Sequence, residues 1–291
     1  MVNLLVEEDA ALEPSIHHPP RLGCCTCSCS YRTPSLRELF EKDRRLLRSM
    51  LAIVILMNVP VGQYVLYPLL LFATWIHESF HGIAALLIGG DIISLNVYKD
   101  GSGLCLTSFP VSNFNRCWVA SAGYQGTAVV GGVLLMFRRS NISARIGTCG
   151  AGLLMLLTCI LYVRNPFGLA SLVIMGFLLL ILGWKLPPFW VGELFALLAS
   201  TTCLNAITSI RVLFFVSEAQ IGGVVRSSDA VTMQEVTAIH AHVWAGIWLL
   251  LSLWATTMGI NVTFETASNH DTILAQGGDG EDHPLALTEL S

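Results

Sequence analysis

Apolar residues along this chain gather into long blocks divided by short polar breaks. Blocks at about 47–64, 65–89, 115–137, 143–163, 167–184, 189–215 and 238–260 approach or exceed the ~18–20 apolar residues that a helix needs to cross a bilayer. Pro60 and Gly62 end the first block and Gly89-Gly90 the second. The stretch from Ile92 to Ser108 has a different character. Ile92, Val97, Tyr98, Leu104, Leu106 and Thr107 favour a strand, and Asp100-Gly101-Ser102-Gly103 favours a tight turn, which predicts a small β-hairpin. The predicted fold class is an all-α polytopic membrane protein of about six to seven transmembrane helices, with that hairpin after the second.

The ends differ from the middle. Residues 1–46 read as a flexible head broken by Pro14, Pro19, Pro20 and Pro34. A basic amphipathic helix is expected from Ser35 to Arg48; its Arg37, Lys42, Arg44, Arg45 and Arg48 predict a cytosolic N-terminus. Within the head, Cys24, Cys25, Cys27 and Cys29 form a dense cluster, a candidate for S-acylation beside a membrane; metal binding and no specific role are the competing readings. Residues 261–291 are acidic and predict a disordered tail.

Composition supports the membrane reading: hydrophobic residues make up 54% and charged residues 12%, against roughly 25% charged in a soluble domain. The chain is expected to be an integral, multi-pass protein in contact with the lipid bilayer. It has no basic patch with interleaved aromatics, so no nucleic-acid partner is expected. Nine cysteines without regular spacing argue against a disulfide framework.

Candidate chemistry sits in the second block, at His77-Glu78-Ser79-Phe80-His81. On a helix, His77 and His81 lie one above the other and can offer two imidazoles to one metal ion. Glu78 is offset around the same turn, positioned to take the proton of an attacking water. Charged side chains deep in a bilayer cost on the order of 2.5–3.5 kcal/mol each, so such residues call for an explanation. Three polar groups satisfied by neighbouring helices is the plainer one.

A catalytic zinc has three protein ligands and an open position, so a third ligand must come from elsewhere. Glu193, Asn205, Glu218, Asp229, Glu235, His240 and His242 are the polar candidates near later blocks. Ser227-Ser228-Asp229-Ala230 is the most suggestive, because a serine can cap a helix whose dipole favours Asp229 in the first turn. His240 and His242 are the rivals. If a single helix ran from Asp229 to Gly259, it would be about 45 Å long, more than the hydrocarbon thickness, so Asp229 could meet His77 only through a tilted or partly re-entrant arrangement.

These residues resemble the site-2 protease family of intramembrane zinc metalloproteases. The segments His77–Gly82, Gly101-Ser102-Gly103, Ala122-Gly123-Tyr124-Gln125-Gly126, Ser228-Asp229-Ala230 and Trp244/Trp248 are similar to its compact B-like branch. The resemblance covers about 65–255. It implies that 47–260 is a metalloprotease-like membrane domain with zinc as cofactor, His77, His81 and Asp229 as ligands and Glu78 as catalytic base. The better-known members carry Leu-Asp-Gly or Asn-Pro-Asp-Gly where this chain has Ser-Asp-Ala.

The function expected is zinc-dependent hydrolysis of membrane-spanning or membrane-proximal protein substrates. An unwound substrate pairing with the free edge of the hairpin would make Ile92, Leu95 and Val97 its contacts; an ordinary connecting hairpin is the competing reading. Asn205 reads first as an interhelical hydrogen-bond partner and second as a substrate contact. A non-proteolytic scaffold that keeps the fold, and a metal or proton transporter, are the alternatives from other classes. Transporters commonly carry internal repeats, and none is found.

Overall fold

A computed structural model describes residues 44–137, 141–213, 218–221 and 224–277. Most of the head, with Cys24, Cys25, Cys27 and Cys29, lies outside the described residues, as do residues 278–291 of the expected tail.

Helix α1 (Arg44–Asn58) leads into α2 (Pro60–Leu87). Pro60 suits the first position of a helix, where its missing N–H removes no bond. The α2 helix ends at Gly89-Gly90, whose N–H groups donate to the Leu86 and Ala85 carbonyls at 3.1 and 2.9 Å. Strands β1 (Asp91–Val97) and β2 (Gly103–Ser108) then pair antiparallel, with a register shift between Ile92 and Ser94. Their turn is held by Asp100, whose Oδ1 accepts from the Ser102 N–H at 3.0 Å and from its hydroxyl at 2.6 Å. Gly101 has φ 84°, the left-handed conformation that a residue without Cβ adopts freely. The expected hairpin is present.

Four long helices follow: α3 (Asn113–Phe137), α4 (Asn141–Leu161), α5 (Pro166–Lys185) and α6 (Pro188–Leu213). A second small hairpin, β3 (Glu218–Ile221) and β4 (Val224–Ser227), leads to the short α7 (Asp229–Thr237) and the long α8 (Ala241–Gly277). This is an all-α polytopic membrane protein with small antiparallel hairpins.

Among the described residues, five segments are long and apolar enough to cross a bilayer: Tyr64–Leu87, Ala144–Leu161, Pro166–Lys185, Pro188–Ile210 and Ala241–Asn261. The two further spans expected from the sequence differ in kind. In α1, only Arg48–Asn58 is an apolar stretch. In α3, Ser121, Gln125 and Thr127 alternate with glycines, because this helix faces protein: it packs against α2, α6, α7 and α8.

A single helix from Asp229 to Gly259 does not form. The chain breaks between α7 and α8 at Ala238, which takes φ 59°. Side chains hold the corner: the Gln234 Oε1 accepts from the Ala241 N–H at 2.8 Å, and Thr237 Oγ1 accepts from the Trp244 indole at 3.0 Å. The α8 helix continues to Gly277, into the segment read from sequence as tail.

The main core joins α2, β1, α4, α5 and α6 through Phe72, Trp75, Leu95, Val97, Met155, Leu172 and Leu198. A second cluster brings α7 to the bundle, with Ala230 and Met233 against Ala120, Ile210, Ala245 and Trp248.

Candidate metal centre

One face of α2 carries a ladder of polar contacts to the first hairpin. The Tyr67 hydroxyl donates to the Lys99 carbonyl and Thr74 Oγ1 to the Gly101 carbonyl, both at 2.8 Å. One turn further, Glu78 Oε2 accepts the Cys105 N–H at 2.6 Å. A Cβ on Gly103 would lie 2.5 Å from the Glu78 side chain, so the bare backbone there lets the carboxylate reach its donor. Glu78 is buried at 7% exposure, yet a charge-assisted bond holds it.

The other face of this turn carries the histidines. Their Nε2 atoms lie 3.1 Å apart, and Asp229 Oδ2 lies 3.6 Å from His77 Nε2 and 3.4 Å from His81 Nε2. One ligand atom from each of the three residues falls within 4.8 Å of the others. Asp229 arrives at the start of α7, where Ser228 caps the helix by accepting the Val231 N–H at 3.4 Å. Burial alone raises the Asp229 carboxyl; the charge on His81 and hydrogen bonds from both histidines outweigh it and hold the group below the usual carboxylate range.

The donor set fits a metal ion. His81 Nδ1 lies 2.7 Å from the Val119 carbonyl; a proton there points the Nε2 lone pair at the cluster, as in ligating histidines. Gly123 on α3 faces both rings. A Cβ there would come within 2.5 Å of each Nε2, so the space at the convergence is open only because the side chain is absent. Two imidazoles and a carboxylate are a common ligand set for catalytic zinc.

Other expected residues lie elsewhere. His240 and His242 stack on each other at 4.7 Å, exposed at the α7–α8 corner and outside the cluster. Asn205 is half-buried on α6. Leu95 and Val97 point into the core at 1% and 0% exposure. Their outward N–H groups are already bonded, to the Tyr162 carbonyl at 2.9 Å and to Asn165 Oδ1 at 3.3 Å. Ile92 packs on α2 at Gly82. The open edge of the hairpin therefore belongs to β2 rather than β1: among the described residues no strand pairs with it. The reason is long-range: Asn96 Oδ1 accepts from the N–H groups of Arg164 and Asn165 at 3.3 and 3.1 Å, binding the α4–α5 connection to β1.

The comparison with known families decides the assignment. The family described as Peptidase M50B-like matches residues 47–259. The chain belongs to this family. It is thus a site-2 protease relative and an integral, multi-pass membrane protein of a peptidase family, in agreement with the motif resemblance. No curated protein and no solved structure matches the chain.

Cys105, beside Glu78 on β2, gives a check on how closed the hairpin side of this M50B-like site is. Burial, and then the Glu78 carboxylate, push its thiol up to about 12. At pH 8.5 its alkylation by iodoacetamide is expected to run about 10³ slower in the native protein than in the denatured chain, since the thiolate is the reacting form. Mass mapping of the labelled peptide reads this, and equal rates would show that the hairpin stands open to solvent.

Proposed function

We propose that this protein is a zinc-dependent intramembrane endopeptidase acting on membrane-spanning or membrane-proximal protein substrates. The observation that carries the reading is the convergence of His77, His81 and Asp229 ligand atoms within 4.8 Å, one residue from a buried Glu78. His77 and His81 would hold the ion through Nε2 and Asp229 through its carboxylate. Bound zinc supplies Lewis acidity, which lowers the pKa of water to about 7 and polarises a carbonyl.

The chain's own groups supply the rest. Glu78 takes the proton from the attacking water and passes it to the leaving amine. Its bond to Cys105 N–H ties the base to β2, so base and open strand edge keep a fixed relation. A transmembrane helix hides its carbonyls in internal hydrogen bonds, and the substrate must unwind before attack. Pairing with the open edge of β2 offsets part of that cost. This moves the substrate edge from Ile92, Leu95 and Val97 to the partner strand. Asn205 remains a candidate contact.

The test is zinc per chain in detergent-purified protein, for wild type, His77→Ala and Asp229→Ala. About one zinc in wild type, lost in both variants, is the expected result, with peptide hydrolysis that stops on chelation. Folded wild-type protein without zinc would overturn the metal site. Zinc-loaded protein that binds membrane substrates and never cleaves them would favour a scaffold that keeps the protease fold.

A further inference from the structure

Tyr124 lies within the Ala122–Gly126 segment, next to the glycine that leaves room at the imidazoles. Its ring meets His77 edge to face, with centroids 4.6 Å apart and planes at 79°. The opposite support is Trp248, stacked on it at 5.1 Å and 17° and itself 2% exposed. Two aromatic neighbours thus fix the ring. The phenol lies within electrostatic reach of both Asp229 and Glu78. Tyr124 is half-buried, and among the described residues its hydroxyl has no hydrogen-bond partner and is not sealed from solvent.

We propose that Tyr124 is a catalytic residue, whose hydroxyl donates a hydrogen bond to the scissile carbonyl oxygen as that oxygen gains negative charge. This rests on the peptidase reading above. During hydrolysis, the water oxygen bonds to the carbonyl carbon while the C=O π pair moves to oxygen. That pair then returns, the C–N bond breaks, and the proton held by Glu78 leaves with the amine. A carboxylic acid and an amine result, and Tyr124 keeps its proton throughout.

Elimination supports the assignment. Preorganised donors aimed at a developing oxyanion are a major source of rate enhancement, and a protein donor here would add to the polarisation that the bound ion supplies. Thr74 is committed to the Gly101 carbonyl. The Cys105 N–H is committed to Glu78. Backbone N–H groups beside Tyr124 lie within the continuous helix α3 and serve its own ladder. Of these groups the Tyr124 O–H is the donor left over; Gln125 Nε2, buried without a partner on the same helix, lacks the ring contact to His77 that seats Tyr124 at the cluster. A purely structural ring would need no oxygen, since the edge contact to His77 and the stack on Trp248 are available to phenylalanine.

Tyr124→Phe therefore tests the oxygen alone. With full-length protein in detergent, the readouts are zinc per chain, kcat and KM on a fluorescein-labelled transmembrane peptide, and the dissociation constant of a Leu-Ala phosphinic dipeptide, a mimic of the tetrahedral state. Zinc content and KM are expected to stay at wild-type values, with kcat lowered and phosphinate binding weakened by about 10²-fold each, as for loss of one oxyanion donor. Unchanged kcat and phosphinate affinity would overturn the proposal while leaving the peptidase reading intact. Loss of zinc in Tyr124→Phe would also overturn it, showing that the phenol serves the metal site. A zinc-loaded wild type that neither cleaves transmembrane peptides nor binds the phosphinate would bring down the peptidase reading, and this inference with it.

Discussion

Glu78→Gln should leave about one zinc per chain and lower peptide hydrolysis by about 10³-fold, within the range expected when a general acid–base is removed. The substitution is nearly isosteric. A glutamine still offers an acceptor oxygen to the Cys105 N–H, which the carboxylate now takes at 2.6 Å, so β2 stays seated on α2. The histidines, on another side of the turn, keep their geometry: His81 remains oriented by the Val119 carbonyl. Only the ability to accept and return a proton is lost. Zinc content and single-turnover cleavage, measured on the same preparation, separate chemistry from folding. Wild-type turnover in this variant would exclude Glu78 as the base.

Gly123→Ala should do the opposite and remove the metal while the helices remain. The added methyl would lie 2.5 Å from the Nε2 atoms of both His77 and His81 and 2.6 Å from His77 Cε1. Real Cβ contacts are longer than this, so the rings must turn away or α3 must retreat. Either movement takes the lone pairs off a common point. Zinc affinity, measured by chelator competition, is expected to fall by at least about 10²-fold, the upper range for disturbed ligand support. Gly150→Ala is the control. No atom lies within 4 Å of a Cβ there, and alanine favours a helix interior by about 1 kcal/mol. Undiminished zinc affinity in Gly123→Ala would show that the ion does not occupy the space facing α3.

Local patterns made much of this architecture legible. Apolar blocks marked the helices, and the Asp100–Gly103 turn marked the hairpin, because both depend on residues close in sequence. The His77, Glu78, His81 constellation was legible for the same reason: one helical turn sets its spacing. The position of Asp229 was harder to read. Its capping serine was visible, but the break at Ala238 carries neither glycine nor proline, and Gln234 and Thr237 hold it through side-chain bonds. The open edge of the hairpin was also hidden, since it depends on Asn96 meeting a connection almost seventy residues later. Tyr124 could be quoted as part of a motif but not given a task. Its value lies in being wedged between His77 and Trp248, which are remote in sequence.

The one-sided hairpin bears on how a substrate must be threaded. With β1 closed by Tyr162–Asn165, a segment laid antiparallel on β2 runs from N- to C-terminus in the same sense as β1. In a membrane, that sense is a topology. A protein inserted with its N-terminus on one face presents its unwound stretch in this direction, and one inserted the other way presents it reversed. On the proposed peptidase reading, antiparallel pairing with β2 would therefore favour substrates inserted in one direction before any of their side chains are read.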